Sequence, residues 1–250
     1  MIIQAIRKLL INHNAAYNLF ADIYHFFINC YFFLKSLTKN HKFFFPRKAY
    51  GFYKSQYGQD VVLEKLGLLK KNGFFVEVGS NHPVFNSNTY FLEKVYKYKG
   101  VSIDPIDYSV DFKKFRPRTT FLNNLVSNNN NPIDFYQVKN NLGWENQMSS
   151  INPKALKKGR GFNAIKRRIK PISLKDLDIN SVDILFIDVE GSEIGVLKSI
   201  DWKKVKPHVI VIENSGQFYM KSFLTNFLKK RNYRLVAQIG YSDEIYTSLY

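Results

Sequence analysis

The chain predicts an α/β fold: an open, largely parallel sheet with helices on both faces and an antiparallel strand at its end. Three observations carry this prediction. Short apolar runs alternate with amphipathic stretches from Phe74 to the end of the chain, as strands and crossover helices do. The runs at 74–78, 100–104, 182–189 and 208–213 are predominantly apolar, the pattern of strands buried on both faces. The last two runs, 233–239 and 244–249, are joined by only Gly240-Tyr241-Ser242-Asp243, a hairpin-type connection that makes the final strand antiparallel.

The first fifty residues stand apart from this pattern. Between Ala15 and Leu37, aromatic and apolar residues (Phe20, Ile23, Phe26, Phe27, Ile28, Tyr31, Phe32, Phe33 and Leu34) are interrupted by Asn18, Asp22, His25 and Asn29 at helical spacing. No uninterrupted apolar span of about 18 residues is left, so an amphipathic helix is expected and a transmembrane helix is not. Early bases are sparse and no small-residue cleavage pattern follows, so no signal peptide is expected. Such a helix has three uses: to lie on a membrane, to pack on the domain, or to pair with another subunit. Residues 39–53 contain Pro46, Gly51 and several bases and read as a linker. Residues 1–52 therefore form a helical extension with its linker, and residues 53–250 the main domain.

Within the main domain, Val61 to Leu66 begins as a helix leading to the strand at 74–78. A helix at 87–98, a strand at 100–104, a short helix near 108–114 and a strand at 119–126 follow. Asn128 to Asn131 is a loop, 134–138 an added strand, and the basic stretch 154–168 an excursion. The strand at 182–189, a helix at 192–200, the strand at 208–213 and a helix at 218–230 complete the alternation before the closing hairpin.

Composition bounds the function. The chain has 250 residues, 45% hydrophobic and 23% charged, which is the profile of a globular protein. Its single cysteine, Cys30, excludes an internal disulfide framework and a cysteine zinc site, and fits the cytoplasm. The formal charge of +17 favours anionic partners, and much of it lies in one acid-free stretch from Lys154 to Lys175. Nucleic acid, an anionic membrane and an acidic or phosphorylated substrate all fit that charge, as does a merely solvated basic surface.

The segment Phe74-Phe75-Val76-Glu77-Val78-Gly79-Ser80-Asn81 is a strand running into a turn, and in open α/β sheets ligands sit beyond the carboxyl ends of strands. A second acid, Asp104, ends the next strand. Gly79 is not followed by the further glycines that a pyrophosphate-binding turn requires, which disfavours a dinucleotide. The pair of acids better suits a cationic nucleoside that carries an amino acid, such as S-adenosylmethionine.

The pieces Ser55-Gln56-Tyr57-Gly58-Gln59-Asp60, Phe75 to Tyr90, Ile184-Leu185-Phe186-Ile187-Asp188-Val189-Glu190-Gly191-Ser192-Glu193 and Pro207 to Asn214 occur in the order seen in the FkbM family, which they resemble over roughly Tyr53 to Tyr250. The resemblance implies the Rossmann-like, seven-stranded sheet of class I S-adenosylmethionine-dependent methyltransferases, with its last strand antiparallel. It also implies O-methylation of a sugar hydroxyl in glycan or polysaccharide biosynthesis. Two positions depart from the family pattern. Phe186 stands where a lysine is usual, so no role of that lysine carries over, and Ser192 stands where a larger or apolar residue is usual.

By this resemblance Glu77, Gly79, Asn81, Asn88, Asp104, Asn124 and Ser127 surround the donor, Asp104 at its ribose and Asn124 to Ser127 at its adenine. A sugar hydroxyl needs a general base or an acidifying cation before it attacks a methyl group. Asp188, Glu190 and His82 are the candidate bases. Asp188, Glu213 and Asn214, at the ends of adjacent strands, resemble the oxygen-ligand Mg2+ site of catechol-type methyltransferases. Glu190 and Glu193 have an alternative role in capping the helix that follows them.

Partner expectations follow from charge and resemblance together. They are an anionic saccharide, nucleotide sugar or lipid-linked glycan as acceptor, peripheral contact of residues 15–37 with the inner face of a membrane, and a homo-oligomer. A nucleic-acid methyltransferase is the competing enzyme reading, but no Asn/Asp-Pro-Pro-Tyr/Phe motif for base methylation is present. A non-catalytic membrane adaptor that retains the fold is the competing reading from another class.

Overall fold

The computed structural model describes residues 14–138, 149–152, 164–214 and 218–249. In chain order the strands are β1 (Lys42–Phe44), β2 (Phe74–Val78), β3 (Lys99–Asp104), β4 (Thr119–Asn123), β5 (Ile133–Val138), β6 (Ala164–Ile169), β7 (Ile184–Ile187), β8 (Val209–Glu213), β9 (Tyr233–Ile239) and β10 (Asp243–Ser248). The helices are α1 (Asn14–Ser36), α2 (Gln59–Lys65), α3 (Tyr90–Tyr96), α4 (Ser109–Phe115), α5 (Glu193–Lys198) and α6 (Phe218–Lys229).

The central sheet runs β1-β9-β10-β8-β7-β2-β3-β4. All neighbours are parallel except β10, which is antiparallel to both β8 and β9. The expected alternation and the closing hairpin are therefore present. The eighth strand comes from the stretch read as a linker: Lys42-Phe43-Phe44 pairs with Ala237-Gln238-Ile239 and covers what would otherwise be an open edge of the sheet. The run at 134–138, by contrast, does not join the central sheet. As β5 it pairs with β6, inside the basic excursion, to form a separate antiparallel hairpin.

Continuous apolar strands are explained by two cores, one on each face. Val76, Val78, Leu185, Ile187, Ile210 and Ile212 meet α5 and α6 through Val196, Leu197, Leu224 and Leu228. The intervening residues Phe75, Ile184, Phe186, Val209 and Val211 meet α2 and α3 through Val62, Leu63, Phe91 and Leu92. Each fully buried side chain of this size stabilises the fold by about 1.5–3 kcal/mol. Phe186, at the position that departs from the family pattern, is one of these core residues and does not line the cavity described below.

Register sets the level of the strand ends. Val78 is opposite both Ile103 and Ile187, and Ile187 is opposite Ile212. Gly79, Asp104, Asp188 and Glu213 consequently emerge together at one end of the sheet.

At the β9 edge of the sheet, α1 packs beside β1 and the β9–β10 turn. Phe33 contacts the Phe43 and Phe45 rings at 6.0 and 5.7 Å between centroids, and His25 lies 5.7 Å from the Tyr241 ring. Among the described residues no helix is long and apolar enough to cross a membrane.

Candidate active site

The carboxyl ends of β2, β3, β7 and β8 open into a cavity of about 450 Å3, within the range typical of small-molecule sites. Gly79, Asn81, Asn88, Asp104, Asn124 and Ser127 line it, as do Asp188, Glu190 and Glu213. Residues distant in sequence close it: Gln56 and Tyr57 before α2, Ile133 and Phe135 on β5, Ser149 to Ile151, and Asp243 at the start of β10.

Gly79 is required by the backbone. It sits at φ +81°, where side chains are disfavoured, and a Cβ there would lie 1.7 Å from the Asp188 carbonyl oxygen. The chain can thus turn tightly where β2 meets β7. The Gly79 amide donates to the Ile103 carbonyl (2.9 Å) and the Asp188 amide to Val78 (3.0 Å), which ties three strand ends together.

Asp104 organises the next loop. Its two oxygens accept the backbone amides of Asn81 and Ile106, both at 2.8 Å, and Asn123 donates its side-chain amide to the Asp104 carbonyl at 3.0 Å. Burial pushes the Asp104 carboxyl up to about 6, against the opposing pull of those two amides. Asn81, at φ +49°, accepts from the Tyr108 hydroxyl at 2.7 Å. The side-chain oxygen of Asn88 is buried on the cavity wall without a hydrogen-bond partner.

Glu77 is not on the cavity wall. Strand parity turns it to the face shared with Phe75, where it accepts from Thr89 and Ser102 hydroxyls, both at 2.8 Å. Burial raises its carboxyl to about 7, although nearby Arg116 pulls it down. Arg116 is fully buried and gives the reason for that arrangement. It pairs with Glu93 at 2.9 Å and donates to Pro83 O, Ser87 Oγ, Thr89 O, Thr89 Oγ1 and Thr119 Oγ1. The segment 83–89, which carries Asn86 and Asn88 into the cavity, is therefore anchored from behind by one guanidinium.

His82 also lies outside the cavity lining. Its Nδ1 accepts the amides of Val84 and Phe85 at 3.1 Å, its ring packs against Phe85 and Tyr108, and burial lowers its pKa. An imidazole held this way shapes a turn.

The acidic end of the cavity differs from expectation in one ligand. Carboxylate oxygens of Asp188, Glu190 and Glu213 lie within 4.8 Å of one another. Asn214 is not with them: it is buried, donates its side-chain amide to Glu244 at 2.8 Å, and gives its backbone amide to Ser242. Adjacent residues on an extended chain point to opposite sides, so Glu213 and Asn214 cannot both face the cleft. Asp188 and Glu190 both line it from the turn beyond β7, where the chain is no longer extended.

Withdrawal from water and repulsion from Glu213 and Glu190 push Asp188 well above the ordinary carboxylate range. The same causes raise Glu190 to about 8, where Glu213 and Glu193 are the repelling neighbours. Glu190 stands at φ +52°, an unusual backbone conformation for a non-glycine residue and one that functional sites favour. Glu193 accepts the amide of Gly191, ahead of the first residue of α5, at 2.8 Å and so braces the turn that leads into the helix.

The motif Ser55 to Asp60 is structural support. Asp60 accepts the Lys54 amide at 2.7 Å and the Ser55 hydroxyl at 2.5 Å, and Gln59 donates to Asp243 at 2.8 Å. Asp243 and Tyr57 reach the cavity through these contacts, and the sequence signal for them was this motif alone. The β5–β6 hairpin is tied to the opposite wall by Arg167, which donates to the Pro105 carbonyl at 2.7 Å.

The family model of the methyltransferase FkbM domain matches residues 77–235. Among solved structures, the chain is similar to precorrin-6Y C5,15-methyltransferase from Geobacter metallireducens GS-15 (12% identity, TM-score 0.44, 80% of this chain and 92% of that one). It is also similar to a putative ribosomal RNA methyltransferase from Plasmodium falciparum (15% identity, TM-score 0.42, 77% and 93%) and a putative RNA methyltransferase from Pyrococcus horikoshii (7% identity, TM-score 0.45, 78% and 83%). No curated protein matches. Matched by the family model over more than half its length, from the acid of β2 into β9, the chain belongs to the FkbM family of S-adenosylmethionine-dependent methyltransferases.

Proposed function

We propose that the protein methylates a hydroxyl of an anionic saccharide, nucleotide sugar or lipid-linked glycan. The observation that carries this reading is the group of three carboxylates, Asp188, Glu190 and Glu213, beside the Gly79 turn.

The cavity fits the donor that the family implies. Gly79 allows the tight turn that borders the cavity, Asn88 offers an unpartnered buried oxygen, and Asp104 presents a carboxylate at the end of β3. In this reading the Gly79 turn and Asn88 hold the amino-acid end, Asp104 accepts the ribose hydroxyls, and Asn124 to Ser127 border the adenine. S-adenosylmethionine, when bound, supplies an electrophilic methyl group on a sulfonium.

The carboxylates serve the acceptor. Asp188 or Glu190, whose proton affinity is raised by burial and mutual repulsion, takes the hydroxyl proton as the oxygen attacks, which a carboxylate of ordinary pKa does less well. The same three oxygen ligands suit Mg2+, which would acidify the hydroxyl and relieve their mutual repulsion. Arg167 on β6 brings positive charge to the cavity rim, where it reaches the Pro105 carbonyl, while the neighbouring Lys166 is paired with Asp134. That charge favours an acidic or phosphorylated acceptor.

The test incubates the protein with methyl-labelled S-adenosylmethionine and a panel of nucleotide sugars and glycans, with EDTA or with Mg2+. Label in a saccharide product that survives mild alkali, as an ether does and an ester does not, is the expected result. Transfer to RNA with none to any saccharide would overturn the reading. A rate restored by Mg2+ after EDTA, and lost in Glu190→Gln, would assign the cation.

A further inference from the structure

We propose that α1 is a docking face for an anionic lipid bilayer, and that it holds the cavity end of the sheet against the membrane surface. This goes beyond the methylation reading and does not rest on it.

The helix packs on the edge of the sheet through buried Asn29 and Ser36, through His25 on Tyr241, and through Phe33 on Phe43 and Phe45. Its outward face is apolar, with Leu19, Ile23, Phe26, Phe27, Leu34 and Leu37 all exposed and Phe27 66% so. These positions recur every three or four residues, so they form one stripe along a helix roughly 34 Å long. An apolar stripe of this extent on the outside of a protein marks a surface that something covers.

Charge selects the occupant. From Asn14 to Gly58 the chain carries the bases Lys35, Lys39, Lys42, Arg47, Lys48 and Lys54 against the single acid Asp22. Lys39, Lys42, Arg47 and Lys48 are exposed beside the C-terminal end of the helix. A second copy would bring the same positive rim, on a chain of +17, against its like. A bilayer with anionic headgroups offers opposite charge and an apolar layer together, which is what an interfacial helix of this kind engages. The location gives the contact a use. His25 meets Tyr241 in the β9–β10 turn, and that turn ends at Asp243, which lines the cavity. A bilayer on α1 would therefore lie beside the cavity end of the sheet.

The experiment is flotation of the full chain with vesicles, in the absence of donor and acceptor. Vesicles of phosphatidylcholine alone are compared with vesicles containing 30% phosphatidylglycerol. The wild type should float with the anionic vesicles and lose at least tenfold in bound fraction at high salt or on neutral vesicles. Phe26→Glu/Phe27→Glu/Leu34→Glu should abolish flotation, and Lys39→Gln/Lys48→Gln should weaken it about thirtyfold, at roughly fivefold per base. Both variants should bind S-adenosylmethionine as the wild type does, which shows that the domain is folded. Failure of the wild type to float with anionic vesicles, or flotation unchanged in the triple variant, would overturn the proposal. A wild-type dimer that the triple variant converts to a monomer, without vesicle binding, would assign the face to a second copy instead. Loss of methyl transfer to saccharides would leave these readouts untouched.

Discussion

Replacing Gly79 by alanine tests the geometry on which the whole site depends. The residue sits at φ +81°, so an alanine there costs about 1–2 kcal/mol in backbone strain alone. The new Cβ would also lie 1.7 Å from the Asp188 carbonyl oxygen, and real Cβ contacts essentially never fall under 3.0 Å, so β2 and the end of β7 must part by about 1.3 Å. Forcing atoms into a packed site costs about 1–3 kcal/mol more. The expected loss is thus about 2–5 kcal/mol, a large fraction of the 5–15 kcal/mol that holds a typical domain together.

Gly191→Ala is the matched control. Gly191 has φ +98° but nothing within 4 Å of the point where its Cβ would stand, so it should lose only the backbone share. Urea unfolding read by tryptophan fluorescence gives both values, with an unchanged slope expected for each. Because the parting moves Asp188 by more than about 1 Å, turnover of any folded Gly79→Ala protein should fall about a hundredfold. A Gly79→Ala protein no less stable than Gly191→Ala, with donor affinity intact, would refute the argument.

Other outcomes follow from the same structure. Asp104→Ala should weaken S-adenosylmethionine binding by about 1.5–3 kcal/mol in calorimetry, the worth of a hydrogen bond to a charged group. Asp188→Asn should leave that affinity within about twofold while lowering kcat by about 10²–10⁴, as loss of a general base does. Arg116→Met strands the buried carboxyl of Glu93 and should cost about 3–5 kcal/mol in denaturant titration, with weaker donor binding because residues 83–89 lose their anchor. Asp104 carries a folded-state pKa raised from 3.8 to about 6, so the folded protein holds this proton more tightly than the unfolded chain. Its contribution to stability is full below about pH 4 and is lost as pH rises through about 6. Donor binding has the opposite dependence: it should be flat above about pH 7 and weaken below about 6, where the carboxylate that accepts the ribose becomes protonated. That pH dependence should disappear in Asp104→Asn, and calorimetry on either side of neutrality, at about pH 5 and about pH 7.5, checks both.

Strands buried on both faces announce themselves in sequence, because nearly every side chain is apolar whichever way it points and an exception such as Glu77 needs buried partners. That is why the runs at 74–78, 182–189 and 208–213 were legible without any structure and reappear as β2, β7 and β8, while the common level at which Gly79, Asp188 and Glu213 emerge came from strand register. The closing hairpin was equally legible, since four residues cannot carry a crossover. The short edge strand β1 was not: three residues have no period to read, and Lys42-Phe43-Phe44 becomes a strand only because β9 offers an unpaired edge.

The acids show the division most clearly. Sequence by itself determined which carboxylates end strands, because burial of the preceding run fixes where each strand stops. Tertiary structure decided which of them face the cavity. Glu190 joined Asp188 and Glu213, while Asn214 turned to Glu244. Glu77 went to the opposite face to meet Ser102 and Thr89, and His82 closed a loop. Asp243 came in from a strand far away in sequence, held by Gln59. The physical reason is that a strand end is set by local hydrophobicity, whereas the direction of a polar side chain is set by which partner can satisfy it. Those partners lie on segments that only folding brings near.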